Sequence, residues 1–192
     1  NGTAHLLFGF PGTSNDHADR FALELVTAAL MSHGGRLFRD LRDDKGLAYR
    51  LQGANVEGPE PGYVALYVAC DPGDVDQVVA AVRAQLEQLA QTDMPADELL
   101  GLRRTLIANR AMQAQRAAAV ADALAYARVH DLSIDAEREY ADGISAVAAA
   151  DVRRVASTYL GWDQATVVTV APERATPAAA RRKSSSPGRS AT

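Results

Sequence analysis

The length of 192 residues fits one globular domain, and a composition with 47% hydrophobic and 23% charged residues excludes the fibrous and disordered classes of protein. Residues 172–192 contain five basic residues and one acidic residue, so the rest of the chain carries a formal charge of about −8 against −4 for the whole. This acidic body argues against nucleic-acid binding, which needs clustered Lys and Arg, and no apolar stretch approaches the ~20 residues that cross a bilayer.

The N-terminal quarter predicts a buried strand followed by two helices. Residues 5–10 form an apolar run that a Pro-Gly pair ends, as is typical of a strand before a turn. Good N-capping residues then precede a helix at about 17–32 that is apolar nearly all round, and a second helical pattern covers 36–44 up to a stop at Gly46. Because the strand begins almost at Asn1, we expect that the sequence starts inside a longer polypeptide.

A β-hairpin is predicted next. Residues 47–57 and 63–70 are strand candidates, and the connection between them, residues 58–62, is rich in Gly and Pro. The second strand is apolar on both faces. This pattern is compatible with cover on both faces, and we expect the strand to lie inside the sheet.

The second half of the chain is mainly helical until a final strand. Helical patterns cover about 75–89, 95–130, 136–142 and 145–160, and a β-rich run covers 165–170. This order lacks regular βαβ alternation and predicts an α+β fold, with a mixed, mainly antiparallel sheet layered against helices. Residues 1–172 form the predicted domain. Residues 173–192, rich in Ala, Pro, Arg and Ser, are predicted to be a disordered C-terminal tail.

The most informative part of the sequence is residues 34–49, which read GGRLFRDLRDDKGLAY. The pattern R-L-F-x-x-L-R, followed four residues later by G-L-A-Y, resembles the second-half signature of the pitrilysin (insulinase, mitochondrial processing peptidase) type of zinc metallopeptidase. Residues 143–147 and 150–152 also resemble that family's late helix boundary, and the strand that ends at 171–172 is similar to its closing strand. The resemblance covers about residues 4–172. It implies that residues 1–172 are the zinc-free half-domain, with a metallopeptidase-half fold, of a bacterial protease similar to mitochondrial processing peptidase.

The resemblance also implies roles for Arg42 and Tyr49. In the family, an Arg and a Tyr with this spacing reach across to a zinc site on the other half. Both side chains can donate hydrogen bonds, so they would hold a substrate carbonyl and stabilise the negative charge that develops near the scissile bond. Without the resemblance, the ordinary interpretation would be a solvated ion pair and a tyrosine packed on the sheet. Arg36 and Arg39 could also face a substrate cavity, but we expect solvated surface roles for both.

The sequence lacks the motif that carries catalysis in this family, an inverted zinc site of the form His-x-x-Glu-His. A zinc site assembled in space is not expected from its scattered histidines, which are His5, His17, His33 and His130. The only cysteine, Cys70, lies on the predicted central strand and is expected to be a small buried hydrophobe. We therefore expect no metal or cofactor in this chain, zinc on the partner domain, and no peptide hydrolysis by the chain alone.

The resemblance favours one function and leaves two others open. The favoured function is the non-catalytic half of a zinc metalloendopeptidase, which pairs with a homologous zinc-bearing domain, in the same polypeptide or a separate subunit, to enclose and position a peptide substrate. The alternatives are a proteolytically inactive scaffold or assembly subunit of the same fold, and a module that captures extended peptides at a sheet edge. The compartment is not determined, although a bacterial periplasm or cell envelope is the location that we favour.

Overall fold

The computed structural model describes residues 2–133 and 135–172, except the side chains of residues 136–138. The elements in chain order are β1 (Ala4–Pro11), α1 (Arg20–Met31), a π-helix (Phe38–Asp44), β2 (Ala48–Val56), β3 (Tyr63–Cys70), α2 (Val75–Gln91), α3 (Ala96–Gln113), α4 (Ala117–Val129), α5 (Ala136–Ala146), α6 (Ala149–Tyr159), a 3-10 turn (Trp162–Gln164) and β4 (Thr166–Val170). The predicted α+β class is confirmed. The predicted tail, residues 173–192, lies outside the described residues. Among those that are described, no helix is long and apolar enough to cross a bilayer.

The sheet has four strands in the order β2-β3-β1-β4, and all of its strand pairs are antiparallel. The predicted hairpin is formed by β2 and β3, and β3 lies inside the sheet as expected. Alternate residues such as Leu6, Phe8 and Leu66 are fully buried on the inner face. The outer face of β3 is covered only in part, because Tyr63 is 53% exposed, whereas Tyr67 is partly buried and Ala69 is buried.

Helix α1 occupies the centre of the core and contacts β2, α3, α5 and α6. Its residues Leu23, Leu25 and Leu30 have no exposed surface, which confirms the predicted burial on several sides. Full burial of one such side chain contributes about 1.5–3 kcal/mol to the free energy of unfolding. Glu24, the only acidic residue of α1, lies between two of these leucines.

The single helix predicted from Pro95 to about residue 130 is wrong, since the chain forms two helices there. The break lies at Ala114–Arg116, where Arg116 adopts an extended conformation with φ −93° and ψ 114°. No Gly or Pro marks the break in the sequence. A continuous helix over this span would be roughly 50 Å long. The break instead allows α3 and α4 to line one cavity, to which Leu106 and Ala127 both belong.

Two further helix boundaries differ from the prediction. Helix α1 begins at Arg20 rather than near residue 17, because His17 lies in a turn in which its N–H bonds to the carbonyl of Ser14. Helix α5 continues to Ala146, so the helix predicted from residue 145 begins at Ala149. The hydrophobic patterns thus locate the elements more reliably than their ends.

Candidate functional site

The segment that carries the predicted site residues begins with a wide helical turn. Residues Phe38–Asp44 form a π-helix rather than the predicted α-helix. The N–H of Lys45 donates to the carbonyl of Asp40 at an N···O distance of 3.2 Å, which is a bond across five residues. Leu41 is fully buried and joins this turn to the core, while Arg42 is exposed.

The Arg42 side chain lies against an aromatic ring on the surface. Its guanidinium carbon is 5.0 Å from the centroid of the Phe38 ring. A stacked guanidinium is restrained through its face, whereas its N–H groups lie at its edge. The contact with Phe38 therefore restrains the Arg42 side chain at the surface.

Tyr49 occupies a β-bulge at the start of β2. Ala48 and Arg50 pair with consecutive residues of β3, so Tyr49 is an extra residue in the ladder. A bulge bends its strand and changes the direction of a side chain, and bulges are frequent beside functional sites. Gly46 precedes it with a φ of +64°, a conformation that glycine adopts without steric cost.

The structure places both predicted site residues on the surface, one on each side of Gly46. Tyr49 is 58% exposed, and Arg42 is exposed as well, so neither side chain is buried within the domain. We call these two residues the Arg–Tyr face. Their contact with a substrate stays a prediction.

The expected solvated role of Arg36 is wrong. Its guanidinium donates two hydrogen bonds to the carboxylate of Glu98 on α3, with N···O distances of 2.9 and 2.8 Å. The two side chains are 11% and 21% exposed, so the pair is largely buried and connects the start of the π-helix to α3. Arg39 is exposed and lines a cavity of about 550 Å³ that also includes His33 and Glu98.

The four histidines lie at separate places in the fold, each beside a different aromatic residue. The Nδ1 atom of His5 is 2.7 Å from the hydroxyl oxygen of Tyr67. The other three pairs are His17 with Tyr159, His33 with Phe38, and His130 with Tyr126. Within the described residues, no group of three or more His, Cys, Asp or Glu side chains could hold a metal ion. The described part of the chain therefore does not fit a zinc site. Cys70 is fully buried, and burial raises the pKa of its thiol, as expected for a small hydrophobe in the core.

A second region, which the motif-based argument missed, is a cavity of about 1110 Å³ between β2 and the helices α1, α3, α4 and α5. We call it the β2 cavity. The residues of β2 that pair with the inner positions of β3, Gly53 and Asn55, line it together with Glu57 just beyond the strand. A Cβ atom on Gly53 would lie 2.6 Å from the Cβ of Met31, so glycine at this position allows β2 to approach α1.

Glu24 lies in the wall that α1 contributes to the β2 cavity. Its carboxylate accepts a hydrogen bond from the Tyr140 hydroxyl at 2.6 Å. Burial raises the pKa of Glu24 above its ordinary value, although the Tyr140 hydrogen bond and the charges of Arg110 and Arg20 act in the opposite direction. Burial, together with this carboxylate, also raises the pKa of the Tyr140 hydroxyl, which remains a neutral donor.

Glu57 faces the same cavity from the other side. Burial raises the pKa of Glu57, and the negative charge of Glu24 raises it further. Its carboxylate accepts a hydrogen bond from the side-chain nitrogen of Asn55 at 2.8 Å. The side-chain oxygen of Asn55 is buried and has no donor among the described residues.

The described side chains that line the β2 cavity carry an excess of negative charge, with six acidic residues against two arginines. Arg20 donates to the carbonyl oxygen of Asn15, and its guanidinium carbon lies 4.4 Å from the centroid of the Phe21 ring. Arg110 lies over the ring of Tyr140 at 5.3 Å. The cavity therefore favours a positively charged occupant over an anion.

One sequence signal could have identified this cavity. Glu24 is an acidic residue in an apolar helix that the sequence predicts to be buried, and buried carboxylates are uncommon without a specific partner. Its partners Tyr140 and Glu57 are far away in the sequence, and Glu57 precedes a Gly- and Pro-rich loop where a carboxylate normally faces solvent.

Comparison with known proteins gives one family and a set of shared folds. The model of the family described as "Peptidase M16 inactive domain" matches residues 1–106. An uncharacterized zinc protease of Streptomyces coelicolor is 30% identical over 99 residues, which are 50% of this chain and 21% of that protein. The chain covers only about a fifth to a quarter of the length of the curated relatives that it matches.

Solved structures share the fold over most of the chain. The inactive peptidase domain of a putative zinc protease from Bordetella parapertussis has a TM-score of 0.78 at 23% identity, with 90% of this chain and 92% of that chain covered. A chain of Complex III2 from Candida albicans has a TM-score of 0.77 at 13% identity, with 87% of this chain and 42% of that chain covered. These likenesses show the fold alone.

Proposed function

Because the chain belongs to the family of Peptidase M16 inactive domains, we propose that it helps to enclose and position peptide substrates for a zinc site on a homologous partner domain. The partner would supply the metal and the water-activating residue. This chain would supply part of the substrate-binding surface, so the chain alone would hydrolyse no peptide.

The observation that supports this proposal is the exposure of the Arg–Tyr face. Arg42 is restrained at the surface by its contact with the Phe38 ring, and Tyr49 lies at a bulge. A guanidinium and a phenol at the surface can both donate to one extended peptide, whose carbonyl groups are unpaired acceptors. Donors directed at the carbonyl that gains negative charge stabilise the transition state more than the ground state.

The partner domain is inferred from the lengths of the relatives. Proteins described as zinc proteases match this chain over about a fifth to a quarter of their own length, so most of each relative lies outside the matched region. The described residues of this chain do not offer a zinc site of their own. We therefore propose that the zinc-bearing half is part of the same polypeptide or a separate subunit.

The test is a peptide-cleavage assay with this chain and its zinc-bearing partner. We expect Arg42→Ala to lower turnover by on the order of a hundredfold, because one transition-state donor is lost. Arg128→Ala is the matched control, since Arg128 is a highly exposed arginine on α4 whose ion pair with Asp131 is also exposed. Equal turnover of the Arg42 variant and the unmodified protein would refute the role.

The second candidate is a proteolytically inactive scaffold or assembly subunit. The fold shared with a chain of Complex III2 is compatible with it, although a shared fold does not establish a function. The two candidates differ in one measurement. A stable complex of this chain with its partner that cleaves no peptide in the presence of zinc would favour the scaffold, whereas cleavage that depends on Arg42 would favour the peptidase half.

A further inference from the structure

We propose that the β2 cavity binds the Lys or Arg side chain of a peptide that pairs with the free edge of β2. This inference rests on the proposed function, because it specifies which peptides the domain would position. It adds a second binding region to the Arg–Tyr face, with its own residues and its own chemistry.

The first argument comes from donors and acceptors in the cavity wall. Glu24 and Glu57 each offer two carboxylate oxygens, and Asn55 offers its side-chain oxygen. The Tyr140 hydroxyl bonds to Glu24 and the Asn55 nitrogen bonds to Glu57, while Arg20 and Arg110 of the same wall lie over the rings of Phe21 and Tyr140. The Asn55 oxygen has no donor among the described residues. These acceptors suit ammonium and guanidinium groups, which supply N–H donors without bringing an acceptor.

The second argument comes from charge. Neither Glu24 nor Glu57 lies within 4.0 Å of an Arg or Lys nitrogen of a described residue, so hydrogen bonds rather than ion pairs hold them. Two carboxylates that share a partly buried space repel each other. The charges of Arg20 and Arg110 offset part of that repulsion, and a further cation between the two carboxylates would relieve more of it.

The third argument identifies the occupant as part of a peptide. Strand β2 is at the edge of the sheet, so its outer side has no strand partner among the described residues. A peptide that pairs with β2 would alternate its side chains between the two faces of the sheet. Gly53 and Asn55 face the cavity on the inner face, so every second side chain of the added strand would be directed toward it. The cavity volume of about 1110 Å³ is sufficient for a long basic side chain.

The experiment measures binding of two blocked heptapeptides to the 192-residue chain by isothermal titration calorimetry. Both peptides alternate Thr and Val, and one has a central arginine where the other has citrulline, which has nearly the same shape without the charge. We expect the arginine peptide to bind at least about tenfold more tightly, as for hydrogen bonds to charged groups. N-methylation of alternate amides should weaken the binding of the arginine peptide, because it removes the N–H groups that pair with β2.

The variants locate the site. Glu57→Gln should abolish most of the preference for arginine, whereas Glu60→Gln should retain it, because Glu60 is exposed in the adjacent loop and does not line the cavity. Glu24→Gln should act as Glu57→Gln does, and thermal unfolding checks that its fold is intact. If the Glu24 variant fails to fold, the Glu57 variant and the two peptides on the unmodified chain still decide the question.

Equal affinities for the arginine and citrulline peptides would overturn the proposal, as would an absence of measurable binding or the same loss in the Glu57 and Glu60 variants. These outcomes are separate from the cleavage assay. If Arg42→Ala lowers turnover while both peptides bind equally, the cavity proposal fails and the proposed function stands. If the arginine peptide binds selectively while cleavage is independent of Arg42, the proposed role of the Arg–Tyr face fails and the cavity proposal stands.

Discussion

The Arg–Tyr face and the β2 cavity are two surfaces of one domain that differ in how they are built. The face comes from residues seven positions apart around a single turn, and both of its side chains are exposed donors. The cavity joins Glu24, Glu57 and Tyr140, which are distant in sequence, and its wall is rich in acceptors. A local motif can therefore identify the first surface, while the second exists only once the helices have packed around β2.

The largest expected effect tests whether the Arg–Tyr face depends on the core beneath it. Leu41→Ala should lower the free energy of unfolding by about 3 kcal/mol, since it leaves a void under the π-helix at a fully buried leucine. Urea unfolding measures this loss. Leu7→Ala is the matched control, because Leu7 is 43% exposed on the outer face of the sheet and should cost less than about 1 kcal/mol. Equal losses would show that the π-helix is not anchored by Leu41.

The next effect separates the two surfaces by their kinetics. In the assay with the zinc-bearing partner, Tyr49→Phe should lower kcat by roughly tenfold or more for every peptide, because a transition-state donor is lost. Glu57→Gln should instead raise KM for arginine-containing peptides and leave kcat and neutral peptides unchanged, since it removes ground-state binding. Tyr63→Phe, another exposed tyrosine, is the control for Tyr49. A fall in kcat for both Tyr49→Phe and Glu57→Gln would mean that the surfaces act as one site.

A third effect compares Arg42 with Arg36, two arginines of the same motif. Arg36→Ala should lower the free energy of unfolding by about 2 kcal/mol, because it leaves the partly buried Glu98 carboxylate without its bidentate partner. Arg42→Ala should change it by less than about 0.5 kcal/mol, since Arg42 is exposed. Chemical denaturation measures both changes. Similar losses would contradict the division into a structural and a surface arginine.

The smallest effect is the pH dependence of stability. Burial raises the pKa of Glu57 above 4.5, so the folded state binds more protons than the unfolded state in that range and stability falls as the pH rises toward the raised value. Glu57→Gln should remove this part of the decline. The Arg154 hydrogen bonds lower the pKa of Asp19, so the contribution of Asp19 to the pH dependence of stability has the opposite sign. The stabilisation by Asp19 is lost as the pH falls below 3.8, the ordinary pKa of an aspartate.

Thermal unfolding from pH 3 to pH 7 measures both slopes. Asp19→Asn is the comparison variant, and it should lose stability chiefly at the upper end of that range. If stability changes with pH by the same slope in the Glu57 variant and the unmodified protein, the Glu57 carboxylate is solvated. That result would also argue against a partly buried, acceptor-rich cavity wall.

Much of the fold could be predicted from the hydrophobic patterns, because strands and amphipathic helices have characteristic periods. The hairpin, the interior position of β3 and the buried α1 are confirmed. The family was also identified correctly from residues 34–49, since the matched model covers residues 1–106. Arg42 and Tyr49 as substrate contacts remain a prediction that the structure does not contradict.

Other features were decided by packing rather than by local propensity. The π-helix at Phe38–Asp44 replaces an α-helix, and α3 ends at Gln113 within a sequence that favours helix, without Gly or Pro at the break. Arg36 is paired with Glu98, 62 residues away, which no local pattern indicates.

The sequence by itself determined the class of fold and the family, because the patterns that indicate them are formed by residues that are close together in the chain. Only the tertiary structure decided the β2 cavity and the partners of Glu24 and Glu57. The physical reason is that burial and hydrogen-bond partners depend on distances in space, which chain spacing does not specify once the separations exceed a few turns.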